Sequence, residues 1–300
     1  MFSKKIIQAV QVSPAEKIKL KDFPTDFVDH SEMRLKNKAA LKEKLKEALE
    51  KDLLTLAEAQ DLLYASDNYS VLVILQAMDG AGKDSTIKHV MSGLNPQGCQ
   101  VFSFKQPSAE ELDHNFLWRC MKALPERGRI GIFNRSYYEE VLVVRVHPEW
   151  LVAQKLPPGE YRRSFWQNRF NDINAFERHL VRNGIIVLKF FLHVSKKEQK
   201  KRFLERLENP EKNWKFSAAD VAERGLWSKY MSAYEEMLNE TSSSWAPWYV
   251  IPADHKWITR ALVADIVVST IADLNLHYPQ VSKKQKQELN KARESLLKEK

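Results

Sequence analysis

This sequence of 300 residues has few cysteines, no long apolar run and no histidine spacing typical of a metal site, and each of these absences excludes a class of protein or of site. Its two cysteines, Cys99 and Cys120, are too few for a disulfide scaffold or a four-cysteine zinc site, and they fit a reducing cytoplasm. No apolar run approaches the roughly 20 residues that span a bilayer, and the N-terminus lacks the apolar segment of a signal peptide, so we expect no membrane partner. The eight histidines are scattered without the spacing of a metal site.

Positive charge is abundant instead. The formal net charge is +8 and the isoelectric point is near 9.2, while 44% of the residues are hydrophobic, which is typical of a soluble globular protein. A chain of this length can bury one substantial core. The excess of basic residues favours a polyanionic partner, such as nucleic acid, an anionic membrane or polyphosphate.

Short apolar, β-branched runs alternate along the chain with stretches in which apolar residues recur every three or four positions. The first pattern predicts buried strands and the second predicts helices. Their alternation predicts an α/β fold with about five parallel strands, and helices after the fourth strand that form a lid over the carboxyl ends of the strands. The predicted strands are 71–75, 99–104, 128–136, 185–194 and 248–253, and the predicted helices are 33–64, 83–92, 108–119, 166–180, 195–209, 217–237 and 258–274.

Composition also suggests how the chain is divided. Residues 1–31 are polar and are predicted to form an extended arm that lies over the domain. Residues 32–280 form the α/β domain, with the lid at about 196–240. Residues 281–300 are charged and helix-prone but have few apolar side chains, which predicts an exposed C-terminal helix or tail.

Residues 76–84 have the order of a phosphate-binding loop, in which a buried strand is followed by a glycine-bearing turn and a helix. Gly80 and Gly82 allow the backbone N–H groups around Ala81 to point into one concavity. The helix N-terminus adds a partial positive charge and Lys83 adds a full one. This arrangement predicts binding of polyphosphate oxygens; the alternative is an ordinary strand–turn–helix in which the Gly-Lys pair is accidental.

The loop departs from the common G-x-x-x-x-G-K-[ST] pattern. Ala77 stands at the position of the first glycine, Asp84 stands where Ser or Thr would hold magnesium, and Ser85 comes one position late. Asp79 places a carboxylate inside the loop, beside the expected phosphates. A carboxylate in that position calls for a cation between the two negative groups.

A second polar cluster, residues 134–140, follows the third predicted strand and faces the same crevice as the loop. Arg135 can bind phosphate oxygens through two N–H groups at once. Glu139 or Glu140 can hold magnesium, directly or through water. The two tyrosines between them are expected to pack in the core, and a salt-bridged strand end is the alternative for the whole cluster.

The predicted lid is strongly basic at its start, because residues 196–215 carry eight basic and four acidic side chains. Arg202 and Arg206 share one helix face at i, i+4 spacing and are predicted to clamp phosphates. Lys197 and Lys201 are predicted to reach only the remote phosphates of a long chain. The alternative is a solvated basic helix face.

Taken in order, these motifs resemble the polyphosphate kinase 2 family over roughly residues 15–280. That family is similar in fold to thymidylate kinase, a P-loop kinase with a three-layer sandwich and a helical lid. The resemblance implies transfer of the terminal phosphoryl group of inorganic polyphosphate to a nucleotide, with Mg²⁺. The segments that carry it are 76–84, 93–98, 116–119, 133–139, 188–195, 213–217 and 246–248.

The resemblance also implies roles for individual residues. Lys83 and Arg135 are expected to neutralise the transferring group, and Asp79 and Glu139 to hold magnesium, with direct orientation of the acceptor by Asp79 as an alternative. With Asn134, the sequence resembles the single-domain subgroup of the family that uses both AMP and ADP. The expected phosphate-binding residues are Gly80, Ala81, Gly82, Asp84, Ser85, Arg202, Arg206 and Lys215, and the expected nucleotide-binding residues are Lys105, Arg119, Asn134 and Glu140.

The expected partners are inorganic polyphosphate and adenine nucleotides, with guanine nucleotides as further candidates, and family members are commonly dimers or tetramers. An ATP-dependent nucleotide kinase on the same fold is the alternative enzyme. A nucleic-acid-binding module is suggested by charge alone. Because the Trp and Phe residues fall at core spacing rather than among basic residues on an exposed face, we do not expect nucleic acid as a partner.

Overall fold

The apolar runs form a parallel sheet at the centre of the domain, whose strands lie in the order Cys99–Ser103, Ile130–Asn134, Ser70–Gln76, Ile185–His193 and Trp248–Pro252. The computed structural model of the chain describes residues 2–14, 16–28, 30, 37–157 and 163–299, without the side chains of Arg163, Lys212 and Lys215. The central strand is buried along its whole length. All five predicted strands are confirmed: β1 (Ser70–Gln76), β2 (Cys99–Ser103), β3 (Ile130–Asn134), β4 (Ile185–His193) and β5 (Trp248–Pro252).

The register of the sheet brings the two predicted polar clusters to one edge. Leu75 of β1 pairs with Asn134 of β3, and Gln76 pairs with Phe191 of β4. Because all the strands run in the same direction, the segments that follow β1, β3 and β4 leave the sheet on the same side. The loop after β1 therefore lies beside Arg135, as the sequence predicts.

Two groups of helices flank the sheet, as expected for a three-layer sandwich. One consists of the helices Lys256–Ala272, Lys38–Ser66 and Lys83–Val90, and the other of Arg163–Arg182, Trp227–Thr241 and Val143–Val146. The helices within the described residues are α1 (Lys4–Val10), α2 (Lys38–Ser66), α3 (Lys83–Val90), α4 (Ala109–Leu112), α5 (Trp118–Met121), α6 (Val143–Val146), α7 (Arg163–Arg182), α8 (Lys196–Glu208), α9 (Ala218–Gly225), α10 (Trp227–Thr241), α11 (Lys256–Ala272) and α12 (Lys283–Lys298).

Two of the predicted helices are each divided in two. Ser108 begins α4 with the predicted capping box, but the helix ends at Leu112, and Asn115 then starts a new turn by accepting a hydrogen bond from the backbone N–H of Leu117. The lid segment is likewise split, because Leu226 has ψ 16° and separates α9 from α10. A periodic apolar pattern does not reveal such single-residue breaks.

The N-terminal segment packs on the domain and is not extended throughout. Its residues 4–10 form α1, because Ser3 caps the helix and Ile6 and Val10 share one buried face at i, i+4 spacing. Beyond the helix, the backbone N–H of Val12 donates to the carbonyl of Trp248 at 2.8 Å. The arm therefore joins the edge of the sheet at β5.

The C-terminal segment forms a helix with no buried residue, in agreement with its charged composition. Residues 33–36 of the predicted first long helix, and the predicted boundary between the arm and the domain at residues 31 and 32, lie outside the described residues. Among the helices that are described, none combines the length and the apolar character needed to cross a membrane.

Candidate active site

The loop between β1 and α3 requires glycine at two positions because of its backbone conformation, and at one of them also because of a close contact. Gly80 has φ +81° and Gly82 has φ +109°, a region that side chains rarely adopt. In addition, a Cβ atom on Gly80 would lie 2.9 Å from the ring of Phe203 on α8. The backbone of the loop is therefore pressed against the lid helix, and only glycine fits there. Ala77 fills the position of the absent first glycine and is buried.

Lys83 is held over the loop by the loop's own backbone. Its side chain is 7% exposed, and its Nζ atom donates to the carbonyl of Ala77 at 2.8 Å and lies 3.9 Å from Oδ1 of Asp79. Burial lowers the pKa of Lys83, and the nearby Asp79 opposes that shift. The cation is thus placed in advance where phosphate oxygens would arrive.

Arg135 connects the loop to the second polar cluster. Its Nη2 atom donates to Oδ1 of Asp79 at 2.6 Å, and its Nη1 atom lies 3.6 Å from Oε2 of Glu139. Burial alone raises the pKa of Asp79, but Lys83 and Arg135 outweigh burial, so the net shift is downward and the carboxylate stays charged. Arg135 itself adopts φ +64°, a strained conformation for a residue with a side chain.

Glu139 lies beside Arg135 and is half-buried, with its side chain 15% exposed, and burial raises its pKa although Arg135 and Lys83 oppose the shift. With the amide of Gln76 oriented to satisfy both of its ends, the amide nitrogen donates to Oε1 of Glu139 at 2.9 Å. Glu139 therefore faces Arg135 on one side and Gln76 on the other. Asp79 is the better placed of the two predicted magnesium ligands, because it lies within the loop and is 34% exposed.

Other predicted residues of the loop are tied to distant elements. The amide nitrogen of Asn134 donates to Oδ1 of Asp84 at 2.8 Å, and the amide oxygen of Asn134 has no hydrogen-bond partner among the described residues. The hydroxyl of Ser85 accepts from Nη2 of Arg260 on α11 at 2.7 Å. Both Asp84 and Ser85 still line the cavity beside the loop.

Arg202, a predicted phosphate clamp, is hydrogen-bonded to the phosphate loop and to the segment after β5. Its Nη1 atom donates to the carbonyls of Gly80 and Ala81 at 3.0 and 2.7 Å, its Nη2 atom donates to the carbonyls of Ala253 and Asp254, and its Nε atom donates to Glu198. The guanidinium is therefore fully engaged with the protein; because Arg202 also lines the cavity beside the loop, phosphate binding by Arg202 stays a prediction. Arg202 fixes the lid helix α8 to the phosphate loop.

This contact also explains a difference at the start of α8. Ser195 caps the helix by accepting from the backbone N–H of Glu198 at 3.0 Å, as predicted. The reciprocal half of the capping box is replaced, since the carboxylate of Glu198 binds Arg202 and the backbone N–H of Ser195 donates to Asp254 at 2.7 Å. The contact between Glu198 and Arg202 therefore replaces the hydrogen bond that Glu198 would make to the backbone N–H of Ser195 in a complete capping box.

Arg206 keeps the geometry of a possible clamp. It lines the cavity beside the loop, its side chain is 24% exposed, and within the described part of the chain its guanidinium donates to Asp220 over a long 3.5 Å. Lys197 and Lys201 are exposed and do not line this cavity, whereas Lys88 of α3 does. The side chain of Lys215 lies outside the described residues.

Two adjoining cavities meet at Arg135. The first, of about 880 Å³, lies over the loop, and of its described lining residues seven are basic and three are acidic. The second, of about 510 Å³, has a mainly apolar wall that includes Leu112, Trp150 and Val152. The residues that border both cavities are Phe104, Lys105, Gln106 and Arg135.

The predicted nucleotide-binding residues are distributed unequally around the second cavity. Arg119 lines it, stacks over Phe104 at 5.4 Å and donates to the carbonyl of Lys105 at 2.8 Å. Glu140 also lines the cavity, but it is buried and its Oε2 atom accepts from Nη1 of Arg169 at 2.6 Å. Lys105 is exposed at the cavity wall, whereas Arg119, which also lies 3.8 Å from Glu111, and the carboxylate of Glu140 are both engaged with the protein.

Sequence reasoning missed several residues that shape the site. Gln199 donates to the carbonyl of Asp79 at 2.8 Å, and Phe203 packs against Gly80. Both lie on the same face of α8 as Arg202, so the i, i+3, i+4 spacing was an available signal. No local signal points to Arg169 or Arg260, because their partners are far away in the sequence.

The central parallel sheet, the glycine-bearing loop and the lysine at the start of α3 define a P-loop kinase. This particular chain belongs to the polyphosphate kinase 2 family, since its residues 39–279 match the family described as Polyphosphate kinase 2 (PPK2). The family and the fold expected from the sequence are therefore confirmed.

Individual relatives agree with this assignment. The chain is 52% identical over 289 residues to an ADP-polyphosphate phosphotransferase of Rhodopseudomonas palustris, covering 96% of this chain and 97% of that protein. It is 46% identical over 270 residues to an AMP/ADP-polyphosphate phosphotransferase of Meiothermus ruber, covering 90% and 94%. The crystal structure of Polyphosphate Kinase 2 from Arthrobacter aurescens TC1 superposes with a TM-score of 0.85 at 34% identity, covering 96% and 97%.

Proposed function

We propose that this enzyme transfers the terminal phosphoryl group of inorganic polyphosphate to ADP and to AMP, reversibly. The observation that carries the proposal is the position of Arg135, which borders both cavities and contacts Asp79 of the loop. A group passed from one cavity to the other must pass this guanidinium. The names of the two relatives from Rhodopseudomonas palustris and Meiothermus ruber support the same donor and acceptors.

The first cavity is the place for polyphosphate. Its basic excess suits a chain that carries at least one negative charge per phosphate. The backbone N–H groups around Gly80 and Gly82, together with Lys83, would hold the reacting end of the chain. Arg206 lines the same cavity and would hold oxygens of the reacting end as charge spreads, while Lys88 and Lys256 would hold the phosphates that follow.

The second cavity is the place for the nucleotide. Its apolar wall can pack against a base, while Lys105 and Arg119 supply cations for the phosphates. Asn134 lines the first cavity next to Arg135, and its buried amide oxygen, which has no hydrogen-bond partner among the described residues, is an acceptor that a donor on the substrate would satisfy. Adenine nucleotides are the proposed acceptors, with guanine nucleotides as further candidates.

The chemistry needs positioning rather than a strong base. The attacking oxygen belongs to a nucleotide phosphate, whose second pKa is about 6, so it is largely ionised at neutral pH. Lys83 and Arg135 neutralise negative charge as the phosphoryl group passes between donor and acceptor. Asp79 keeps both cations in place through contacts of 3.9 and 2.6 Å.

Magnesium fits the residues at this site. No group of three or more metal-binding side chains occurs among the described residues, but magnesium beside phosphates needs only one or two carboxylates and keeps several waters. Asp79 would hold it, with Glu139 as the weaker candidate, or Asp79 would orient the acceptor directly. When bound, the ion neutralises charge on the phosphate oxygens.

Cellular location and assembly are also proposed. Both cysteines are free, which suits a reducing cytoplasm. Apolar side chains that are more than half exposed on α12 support a homodimer or homotetramer: Leu289, Leu296 and Leu297. Light scattering of the purified protein tests the assembly.

One assay tests the function. The purified protein is incubated with polyphosphate, a magnesium salt and either ADP or AMP, and the product nucleotides are separated and quantified. We expect ATP from ADP and ADP from AMP, and neither product when EDTA replaces magnesium. No product from polyphosphate, together with rapid phosphorylation of a nucleoside monophosphate by ATP, would instead identify an ATP-dependent nucleotide kinase.

A further inference from the structure

Two tyrosines separate Arg135 from Glu139, and both point away from the cavities. Tyr137 and Tyr138 are fully buried, and their hydroxyl groups donate to the same oxygen, Oε1 of Glu177, at 2.8 and 2.7 Å. Glu177 lies on α7 and is itself 0% exposed. The segment that carries the two site residues is thus anchored from behind by one buried carboxylate.

The other oxygen of that carboxylate is held by a buried lysine. Nζ of Lys189, on β4, donates to Oε2 of Glu177 at 2.6 Å, to the hydroxyl of Tyr138 at 3.0 Å and to the carbonyl of Thr241 at 2.7 Å. All three donors of the ammonium group are therefore used, and Glu177 accepts three hydrogen bonds. Burial lowers the pKa of Lys189, and Glu177 opposes that shift.

A buried ion pair is an unfavourable way to fill a protein core, because its desolvation costs free energy. Removing two charges from water costs several kcal/mol per ion, and apolar residues of similar volume often serve stability as well or better. Neither Glu177 nor Lys189 lines either cavity, so neither touches substrate directly. The pair does hold the hydroxyl groups of Tyr137 and Tyr138 at fixed positions, because Glu177 lies on α7 and Lys189 lies on β4.

The fixed positions of the two tyrosines bear on the backbone conformation of Arg135. Its backbone has φ +64°, a strained conformation that persists only when surrounding contacts enforce it. The contacts that follow it in the chain are the buried Ser136, whose hydroxyl accepts from the backbone N–H of Tyr138 at 3.2 Å, and the two anchored tyrosines. If the tyrosines were released, Arg135 could relax and turn its guanidinium away from Asp79.

We propose that Glu177 and Lys189 are positioning residues for phosphoryl transfer, which they serve by fixing the Arg135–Glu139 segment through the hydroxyls of Tyr137 and Tyr138. The inference rests on the proposed function for its kinetic consequence. Its structural consequence, the ordering of residues 135–139, is independent of that function. The two consequences can therefore be measured separately.

The test variant is the double substitution Tyr137→Phe and Tyr138→Phe, which removes both hydroxyls and keeps both rings. We expect kcat to fall at least about tenfold while KM for polyphosphate changes less than about twofold, because the loop that binds polyphosphate is untouched. The single substitution Tyr137→Phe should give a smaller fall in kcat of the same kind. It keeps the test available if the double variant does not fold.

The control is Val267→Ala on α11, a buried residue that packs away from the tyrosines. It is expected to lower the melting temperature and leave kcat within about twofold of wild type. The proposal is overturned if the tyrosine variants keep kcat within about twofold of wild type, or if the control loses kcat as they do.

Hydrogen–deuterium exchange provides the readout that does not depend on activity. In the tyrosine variants, amides of residues 134–142 should exchange faster than in wild type, while amides of α3 should not. The control should leave residues 134–142 unchanged. A wild-type enzyme without polyphosphate activity would refute the proposed function, whereas unchanged exchange in residues 134–142 of the variants would refute the positioning role.

Discussion

Nη1 of Arg202 lies 2.7 Å from the carbonyl oxygen of Ala81 and donates a hydrogen bond to it. With Gln199, which donates to the carbonyl of Asp79 at 2.8 Å, this contact joins the start of the lid to the phosphate loop. The first turns of α8 therefore hold the loop in shape and must move with it.

The two lid arginines should accordingly behave differently when changed to alanine. Arg202→Ala leaves buried carbonyls without a donor and should lower the free energy of unfolding by about 2–4 kcal/mol, with a loss of kcat for chains of every length. Arg206→Ala removes a partly exposed cation at the cavity and should lower kcat with little loss of stability. Chemical denaturation and steady-state kinetics on short and long polyphosphate check both. Equal stability losses in the two variants would contradict the role of Arg202 in joining α8 to the phosphate loop.

Lys83 and Asp79 should be essential for the chemical step but not for folding. Lys83→Met and Asp79→Asn each remove a charge that is placed in advance beside the transferring group, and this typically costs roughly 10²–10³ in kcat. Circular dichroism should show an unchanged fold, since neither side chain lies in the sheet. If either variant keeps more than about a tenth of wild-type kcat at saturating magnesium, its assigned role is wrong.

Long polyphosphate should depend on Lys88 rather than on Lys201. Lys88 lines the first cavity, while Lys201 is 67% exposed and lies outside its lining. Lys88→Gln should therefore raise KM for long chains by about two- to fivefold at low salt, with kcat nearly unchanged and a smaller effect at high salt. Lys201→Gln is the matched control and should change KM little. Equal effects at both positions would mean that polyphosphate is bound by a general basic surface rather than by the cavity.

The contact of His147 with the lid should make stability depend on pH. Its ring nitrogens lie 2.9 Å from Glu223 and 3.0 Å from Glu149. Burial lowers the pKa of His147, but the hydrogen bonds to Glu223 and Glu149 outweigh burial and raise it above its ordinary value of 6.5. The charged pair therefore stabilises fully below that value, and its contribution is lost as the pH rises through the raised pKa.

The measurement compares wild type with His147→Gln. The variant should melt about 1–2 °C lower at about pH 6, and the difference should vanish at about pH 9. The exposed His277 is the control, since His277→Gln should give the same small difference at both pH values. A His147→Gln difference that does not change with pH would contradict the charged contact.

Much of this protein follows from its sequence alone. The runs that become β1, β3, β4 and β5 are short and largely apolar, and burial on both faces leaves them few alternatives to a parallel sheet. The edge strand β2 is more polar and more exposed. Gly80, Gly82 and Lys83 mark the loop because left-handed backbone and a cation are local requirements that particular residue types meet. The order of the motifs along the chain is also sufficient to indicate the family.

Tertiary structure alone decided what the charged side chains contact. The spacing of Arg202 and Arg206 places both on one helix face, but the acceptors of Arg202 are carbonyls of residues as far as 122 positions away. Glu140 likewise looks free in the sequence, yet it is paired with Arg169, 29 positions further on. A strand or a turn is determined by neighbours along the chain, whereas the partner of a long charged side chain is determined by whichever element the fold packs beside it.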